Sequence, residues 1–269
     1  MQAESSPASA VSPGGLGLWR RRARVARRLA LLTTGLALGA PVQALLRRVG
    51  PRAATWLPFV FHRYACRVMG VRRDVRGVSR GAVLLGSNHM SWLDIVVLSA
   101  CRPTAFVARA DIAGWPLFGA LAWLQDTLFV SRERRQSVDA DAREIARRVT
   151  AGQGVTLFAE GTTSDGCGVL PFRSALLGAA RHGGVVVQSV ALAYVARDGG
   201  RLDEEGRRAV AWWGEKTLAP HLLDILGART LDVRVEFGAP GEPQPGDCRK
   251  ALTRLLEQEV RRKVEAALA

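Results

Sequence analysis

From residue 81 to the C-terminus, short apolar runs alternate with amphipathic patterns. Each run is bounded by turn residues, which is typical of buried strands, and the patterns between them have helical spacing. Such alternation predicts an α/β fold with a mixed, largely parallel sheet flanked by helices. The predicted strands are 82–86, 104–108, 127–130, 155–158, 185–193 and 231–237, and the predicted helices are 91–100, 116–124, 138–151, 174–182, 220–226 and 247–268, with Asp247 as the last N-cap.

A separate apolar stretch lies near the N-terminus. Residues 29–46 are eighteen residues without a charge. As a helix they would be about 27 Å long, the low end for crossing a bilayer. Trp19 and Trp56 lie outside the stretch, where interfacial anchors are expected. Residues 16–68 are therefore predicted to be an N-terminal helical membrane anchor, either a short span with an interfacial helix or a shallow helical hairpin.

The charge of the chain is concentrated around this stretch. The net charge is +14, and residues 20–80 hold fifteen arginines against one acid, whereas residues 81–269 carry 23 basic and 22 acidic groups. Each arginine near an anionic leaflet is worth about 1 kcal/mol, so the six arginines in residues 20–28 predict a tether to an anionic membrane surface. Basic residues on both sides of the stretch suit an element on the cytoplasmic face of the inner membrane.

Two other interpretations of the apolar stretch stay open. An arginine-rich start, an apolar core and Val42-Gln43-Ala44 fit a secretory signal peptide with its cleavage site. A buried core helix would also be apolar. Residues 1–15 are predicted to be a disordered tail.

The cysteines and histidines indicate little chemistry of their own. Four cysteines are widely separated without a C-x-x-C pair, and no two of the four histidines stand at metal-ligand spacing. The sequence therefore predicts neither a metal site nor a disulfide framework.

The first candidate motif follows the predicted strand 82–86. His89 lies at the turn between this strand and a helix, and Asp94 follows on the first turns of that helix. The carboxylate of Asp94 can fold back to hold one ring nitrogen, which leaves the other free to take a proton. This is the arrangement of a general base with its orienting carboxylate, although the spacing alone is common by chance.

The second candidate motif follows the strand 155–158. This strand runs directly into Glu160, Gly161 and Thr162. Backbone amides and the Thr162 hydroxyl at such a turn could hold a polar ligand group. Taken alone, Glu160 fits a helix cap or a salt bridge better.

Together, and in this order, the motifs resemble the glycerolipid acyltransferase family, typified by 1-acylglycerol-3-phosphate acyltransferase. The resemblance covers about residues 56–240 and implies an acyltransferase domain over residues 69–269. Its four blocks are NHMSWLD at 88–94, the segment 106–134 with Pro116, Gly119 and Arg132 at marked positions, FAEGTTSDG at 158–166, and the apolar segment 185–194.

The resemblance implies both a reaction and a site. His89, oriented by Asp94, would remove the proton from a lysolipid hydroxyl, which then attacks the thioester of an acyl carrier protein or coenzyme A. No metal, bound cofactor or covalent acyl-enzyme is implied. The positions that match acceptor-binding blocks are Arg132, Glu160, Gly161 and Thr162, and Arg173 stands where the family often has a basic residue before a helix.

Three departures from the family pattern bear on the acceptor. Thr163 replaces the arginine after E-G-T, and Ala159 and Ser189 replace prolines. The resemblance implies 1-acylglycerol-3-phosphate as the first candidate acceptor, and Arg109 or Arg173 could contact its phosphate. The run 160–177 also resembles the branch that acylates lyso-ornithine lipid, an aminolipid without a glycerol phosphate, which is the alternative.

Other classes of function fit less well. A G-x-S-x-G pattern occurs at residues 77–81, but Ser79 precedes its strand, whereas a hydrolase nucleophile elbow follows one. Nucleic-acid binding needs a basic folded face, and residues 81–269 are nearly neutral, so no nucleic-acid partner is predicted. A non-catalytic membrane scaffold remains, and a His89→Ala variant would distinguish it.

Overall fold

The computed structural model describes residues 15–77, 79–130, 135–173, 175–243 and 248–269. Its strands form one mixed, mostly parallel sheet in the order β1-β8-β6-β2-β5-β3-β4, with β7 paired to β6. The predicted α/β class is confirmed. The strands are β1 (Val71–Arg76), β2 (Leu84–Ser87), β3 (Ala105–Arg109), β4 (Leu128–Val130), β5 (Val155–Phe158), β6 (Val187–Arg197), β7 (Gly200–Arg201) and β8 (Leu231–Phe237).

Helices cover both faces of the sheet because its central strands are apolar on both sides. The α-helices are α1 (Gly15–Val49), α2 (Pro51–Met69), α3 (Leu93–Cys101), α4 (Phe118–Leu124), α5 (Arg135–Thr150), α6 (Glu204–Val210), α7 (Leu218–Gly227) and α8 (Arg249–Leu268). One apolar core lies between the sheet and α2, α3 and α7. The second lies between the opposite face and α5, α8 and the 3₁₀ helix Leu176–Arg181. The parallel pairing of β2 with β5 and β6 brings their carboxyl ends to one edge.

Three local predictions were wrong. Strand β1 was not predicted, because four of its six residues are charged; as an edge strand it keeps three of them exposed to water, where Arg72 pairs with Asp232, and the half-buried Arg73 donates to the Ala100 carbonyl. The segment predicted as a helix over 174–182 is a 3₁₀ helix from Leu176, and Ser174 lies outside the described residues. Helix α8 begins at Arg249 with Cys248 at the N-cap position, and Asp247 also lies outside the described residues.

Helices α1 and α2 form an antiparallel hairpin that turns at Gly50. Gln43 donates to the carbonyl of Ala54 at 2.6 Å, and the Tyr64 hydroxyl donates to the carbonyl of Leu31 at 3.0 Å. Of the helices described, α1 alone is long and apolar enough to cross a membrane, and only 6% of its most apolar 18-residue stretch is buried. The buried-core-helix interpretation is therefore wrong. Residues 1–14 of the predicted tail lie outside the described residues.

The prediction that all six arginines of residues 20–28 face a membrane is wrong. Three of the six bind the C-terminal end of α7, where unpaired carbonyls and the helix dipole favour cations. Arg28 is buried and donates to three carbonyl oxygens, while Arg24 and Arg21 bind beside it. The contacts are Arg28 to Leu226 (3.0 Å), Ala228 (2.5 Å) and Arg229 (3.1 Å), Arg24 to the Gly227 carbonyl (2.6 Å), and Arg21 to the Asp224 carboxylate (3.0 Å).

The other end of α1 is fastened to the domain as well. Gln43 donates to the carbonyl of Leu124 at 2.6 Å, and Arg47 pairs with Asp126 at 3.2 Å. Gln43, the middle residue of the Val42-Gln43-Ala44 segment, is buried in this contact. Helix α1 therefore lies along the domain, held at both ends.

Replacing Arg28 by methionine is expected to lower the free energy of unfolding by about 2–4 kcal/mol. The change keeps the apolar stem but leaves three carbonyls without their charged donor, and each such bond is worth about 1.5–3 kcal/mol before solvent replaces part of it. Denaturant unfolding of the detergent-solubilised protein measures this. The control is Arg27→Met, an exposed neighbour for which a change within about 0.5 kcal/mol is expected. Equal effects at both positions would contradict the role of Arg28.

Candidate active site

The site begins where β2 ends, at a turn held by Asn88. The Asn88 side-chain amide donates to the Leu192 carbonyl of β6 at 2.9 Å, and its oxygen accepts from the Leu192 N–H at 2.9 Å. The buried side chain thus continues the pairing of β2 with β6 beyond the last ladder bond. This fixes the backbone from which the next residue, His89, projects.

His89 is oriented by Asp94 from the first turn of α3. The distance from Nδ1 of His89 to Oδ2 of Asp94 is 2.9 Å. Because a carboxylate can only accept here, Nδ1 carries the proton and the lone pair lies on Nε2. The imidazole retains 18% of its exposed surface, and no described residue is bonded to Nε2. Nε2 is therefore available to a substrate.

The carboxylate of Asp94 is fully buried and held by four donors. Besides His89, the backbone N–H groups of Met90 and Ser91 donate to Oδ2 at 2.7 and 2.9 Å. The hydroxyl of buried Tyr194 donates to Oδ1 at 2.8 Å. Such bonds stabilise the charged form of a carboxylate in a dry site. The negative charge behind the imidazole is thus fixed in position.

A row of stacked aromatic rings runs from His89 to β5 and β3. The His89 imidazole stacks on Phe158 at the end of β5, with ring centroids 3.8 Å apart and planes at 12°. Phe158 in turn stacks on Phe106 of β3 at 5.7 Å. The stack limits rotation of the imidazole and provides an apolar surface next to Nε2.

Glu160 lies behind the turn that carries His89. Its Oε1 accepts from the backbone N–H of His89 at 3.2 Å. Burial is the main cause that raises the pKa of this carboxyl to about 8; the charge of Asp94 adds to the rise, and the backbone amides of His89 and Leu170 oppose it. Glu160 is therefore mostly neutral at pH 7. It holds the His89 backbone through a hydrogen bond, and among the described residues it acts neither as a helix cap nor as a salt-bridge partner.

The remaining predicted site residues lie around this turn with different degrees of contact. Gly161 has φ +73°, and its N–H closes the turn onto the Phe158 carbonyl at 3.1 Å, a conformation that favours glycine. Thr162 is exposed at the surface of the turn. Arg173 is exposed, and its backbone N–H donates to the Ala159 carbonyl at 2.7 Å, so it borders the same turn. Arg132 lies outside the described residues.

The comparisons with known proteins fit this geometry. The model of the acyltransferase family matches residues 71–193, which include His89, Asp94 and Glu160. The lyso-ornithine lipid O-acyltransferase of Brucella abortus is 46% identical over 221 residues, which are 79% of this chain and 83% of that protein. The chain belongs to the acyltransferase family.

Other relatives of this acyltransferase carry two kinds of name. The lyso-ornithine lipid O-acyltransferase of Rhizobium meliloti is 39% identical over 82% of this chain and 79% of its own. The 1-acyl-sn-glycerol-3-phosphate acyltransferase of Neisseria meningitidis is 34% identical over 66% and 68%. The crystal structure of the 1-acyl-sn-glycerophosphate acyltransferase from Thermotoga maritima shares the fold, with TM-score 0.57 and 19% identity over 90% of this chain and 98% of that one. The protein is thus an acyltransferase of the lysolipid group.

Sequence reasoning missed several residues of the acyltransferase site. Tyr194 was included only as the last residue of an apolar block, although it is one of two tyrosines in the chain. A polar side chain inside a buried strand requires a partner, which is the signal that could have identified it. Ser164 was also missed; its N–H and hydroxyl both donate to the His89 carbonyl, at 2.8 and 3.2 Å.

The serine of the G-x-S-x-G pattern has a structural setting. Ser79 donates to Oε1 of Gln188 at 2.8 Å and is also bonded to the Arg102 guanidinium. Ser79 lies before β2, whereas the serine of a nucleophile elbow follows a strand. The position is therefore not that of a nucleophile elbow.

Stability of the acyltransferase is expected to fall as pH rises from about 5 to 8, partly through Glu160. In the unfolded chain this carboxyl ionises near its ordinary pKa of 4.5, whereas in the folded chain it keeps its proton to about 8. The unfolded state therefore binds fewer protons across this window, which lowers the free energy of unfolding by up to about 1.4 kcal/mol per pH unit.

Glu160→Gln tests this pH dependence, since glutamine cannot ionise but still accepts from the His89 N–H. We expect a shallower fall in the free energy of unfolding from pH 5 to 8 than in the wild type. The control is Glu205→Gln, an exposed position. An unchanged slope in Glu160→Gln would show that Glu160 is ionised in the folded protein.

Proposed function

We propose that the acyltransferase transfers a fatty acyl group from a carrier thioester to the free hydroxyl of a lyso-ornithine lipid. His89 acts as the general base: Nε2 takes the hydroxyl proton as the alkoxide oxygen attacks the thioester carbonyl. The carboxylate of Asp94 stabilises the imidazolium that forms. The proton is then returned to the leaving thiolate as the carbonyl re-forms, so the products are an ester and a free thiol. The His89–Asp94 contact at 2.9 Å, with Nε2 bonded to none of the residues that the structure describes, is the observation that carries this mechanism.

The acceptor is proposed from the residue at position 163. An arginine there would offer the bidentate contact that a phosphate prefers, and the half-buried Thr163 cannot. The lyso-ornithine lipid O-acyltransferases of Brucella and Rhizobium, at 46% and 39%, are also more identical to the chain than the Neisseria relative at 34%. Both facts support the aminolipid acceptor over 1-acylglycerol-3-phosphate. Arg173 then faces the acceptor carboxylate, and Gly161 and Thr162 border the headgroup, with Arg132 in the same role.

The donor is proposed to be the thioester of an acyl carrier protein or coenzyme A. Acyltransferases of this family generally need no bound cofactor. Among the described residues, no group of three or more His, Cys, Asp or Glu side chains could hold a metal ion. The proposed mechanism uses only the chain's own side chains.

Residues 16–68 are proposed to hold the domain on one leaflet of an anionic membrane, at the cytoplasmic face of the inner membrane. Helix α1 is fastened to residues 224–229 at one end and to residues 124–126 at the other, so it cannot cross a bilayer without leaving the domain. Its outward face is apolar and exposed, with Leu31, Leu38, Val42 and Leu45 at helical spacing. Exposed Arg20 and Arg27 precede them on this face and suit anionic headgroups.

The acceptor assignment is tested by comparing kcat/KM for lyso-ornithine lipid and 1-acylglycerol-3-phosphate with one labelled acyl-carrier thioester. We expect the wild type to prefer lyso-ornithine lipid and Thr163→Arg to shift preference toward the phosphate acceptor. Thr150→Arg, which adds the same charge at an exposed position of α5, should leave the ratio unchanged. A wild type that prefers 1-acylglycerol-3-phosphate contradicts the proposed acceptor, and acylation of neither contradicts the acceptor class.

A further inference from the structure

The segment Ala110–Leu124, between β3 and β4, presents large apolar side chains to solvent. Trp115, Leu117 and Trp123 are each about half exposed or more, and residues 112–124 carry no charge. Exposed apolar groups of this size, grouped on one surface element, mark an interaction surface in a soluble domain. The acyl-transfer mechanism above uses none of them.

The backbone of this segment is built to expose them. Leu117 has φ +64° and ψ −53°, and the Phe118 N–H donates to the Pro116 carbonyl at 2.7 Å, so Leu117 is the centre of a strained γ-turn that costs about 1–3 kcal/mol. The turn is also tight: a Cβ at Gly119 would lie 2.2 Å from the Ala113 carbonyl oxygen. Trp115 packs edge-on against Phe118, with centroids 6.0 Å apart. The side chain of Leu117 is therefore held outward by a fixed turn.

The segment lies at the active-site edge of the sheet and beside the membrane anchor. It leaves the carboxyl end of β3, which is parallel to β5 and, through it, to β2, so it shares an edge with His89 and Glu160. Helix α4 also touches α1: Arg47 stacks over the Trp123 ring at 3.9 Å. The exposed apolar surface thus extends from the anchor toward the site.

We infer that Trp115 and Leu117 enter the phospholipid interface and form a second membrane contact, separate from the hairpin. Tryptophan and leucine on an uncharged turn suit the interfacial region of a bilayer, and the contact of α4 with α1 makes the surface continuous with the anchor. The contact turns the His89 edge toward the lipid, where a lysolipid resides. This inference rests on the proposed membrane attachment of α1 and α2, and it does not depend on which acceptor is used.

The test places a nitroxide spin label at position 117 of the full chain in phosphatidylethanolamine–phosphatidylglycerol vesicles. Cys167 and Cys248 are first changed to serine; Cys66 is buried, and burial raises the pKa of the Cys101 thiol, so neither competes for the label. Leu117→Cys is compared with Leu255→Cys. Leu255 is as exposed (64% against 63%) but lies on α8, on the opposite face of the sheet.

We expect the ratio of collisions with oxygen to collisions with a water-soluble nickel complex to be several-fold higher at position 117 than at position 255. Equal ratios, with the protein still floating with the vesicles, would overturn the inference while leaving the hairpin attachment standing. Spin–spin broadening confined to position 117 would indicate a second copy of the chain on this surface, and would overturn it too.

A functional measurement accompanies the label. Leu117→Asn suits the positive φ and removes the apolar side chain, and Leu255→Gln is its helical control. We expect Leu117→Asn to raise the KM for a lysolipid acceptor in vesicles several-fold, with an unchanged rate on the same acceptor in detergent. An unchanged KM in vesicles for Leu117→Asn would contradict a membrane role for this residue.

Discussion

Replacing His89 by alanine is expected to lower kcat by about 10²–10⁴-fold, the usual contribution of a positioned general base. The variant removes Nε2, to which no described residue is hydrogen-bonded. It leaves in place the hydrogen bonds between Asn88 and Leu192 and the bond from the His89 backbone N–H to Glu160. The fold should therefore survive, and the loss should appear in kcat. The measurement is steady-state transfer of a labelled acyl group to the lysolipid, with the free energy of unfolding measured in parallel.

The matched control for this variant is His182→Ala. His182 is exposed at the end of the 3₁₀ helix and lies outside the site, so its removal should leave kcat within experimental error of the wild type. If His89→Ala retained full activity, His89 would not be the base, and the result would favour a non-catalytic role for the domain.

Asp94→Asn is expected to lower kcat by about 10²–10⁴-fold while preserving the fold. The amide can keep every hydrogen bond if its oxygen takes the place of Oδ2 and its NH₂ donates to the Tyr194 hydroxyl, which can accept as well as donate. What disappears is the negative charge that stabilises the imidazolium and favours the Nδ1–H tautomer; the equivalent Asp→Asn change in a serine-protease triad costs on the order of 10⁴ in rate, through the wrong tautomer. The same acyl-transfer assay and unfolding measurement apply.

Asp203→Asn is the control for the loss of a carboxylate. Asp203 caps α6 by accepting from the Gly206 N–H at 2.8 Å, and asparagine caps a helix about equally well. Activity should be unchanged in this control. An Asp94→Asn enzyme with near wild-type kcat would show that orientation of His89, and not charge, is what Asp94 supplies.

Much of the fold could be predicted from the sequence because its inner strands are apolar on both faces. Strand β5 carries that signal, whereas β8 alternates apolar with charged residues, the pattern of a strand with one buried face, and both strands begin and end where predicted. Strand β1 could not be predicted in this way. Four of its six side chains are charged, so no apolar run marks it, and it is a strand because β8 pairs with it from 160 residues further along the chain.

The candidate site also contains one contact that the local sequence predicts and one that depends on the tertiary fold. His89 and Asp94 are five residues apart, so local geometry predicts their contact. Tyr194 reaches Asp94 from a strand 100 residues away, and only the pairing of β2 with β6 brings the two together. The arginines near the N-terminus show the opposite error. The local charge predicted that all of them bind a membrane, whereas Arg28 donates to carbonyl oxygens at the C-terminal end of α7.

The central claim is direct transfer: His89 takes a proton from the acceptor and never carries the acyl group. Mass spectrometry of the wild-type protein after rapid mixing with a labelled acyl-carrier thioester, without acceptor, tests this most directly. The proposed mechanism predicts no acylated protein and no free carrier thiol until lysolipid is added, after which one thiol appears for each ester formed. Stoichiometric acylation of His89, or of any other residue, before acceptor is added would contradict it.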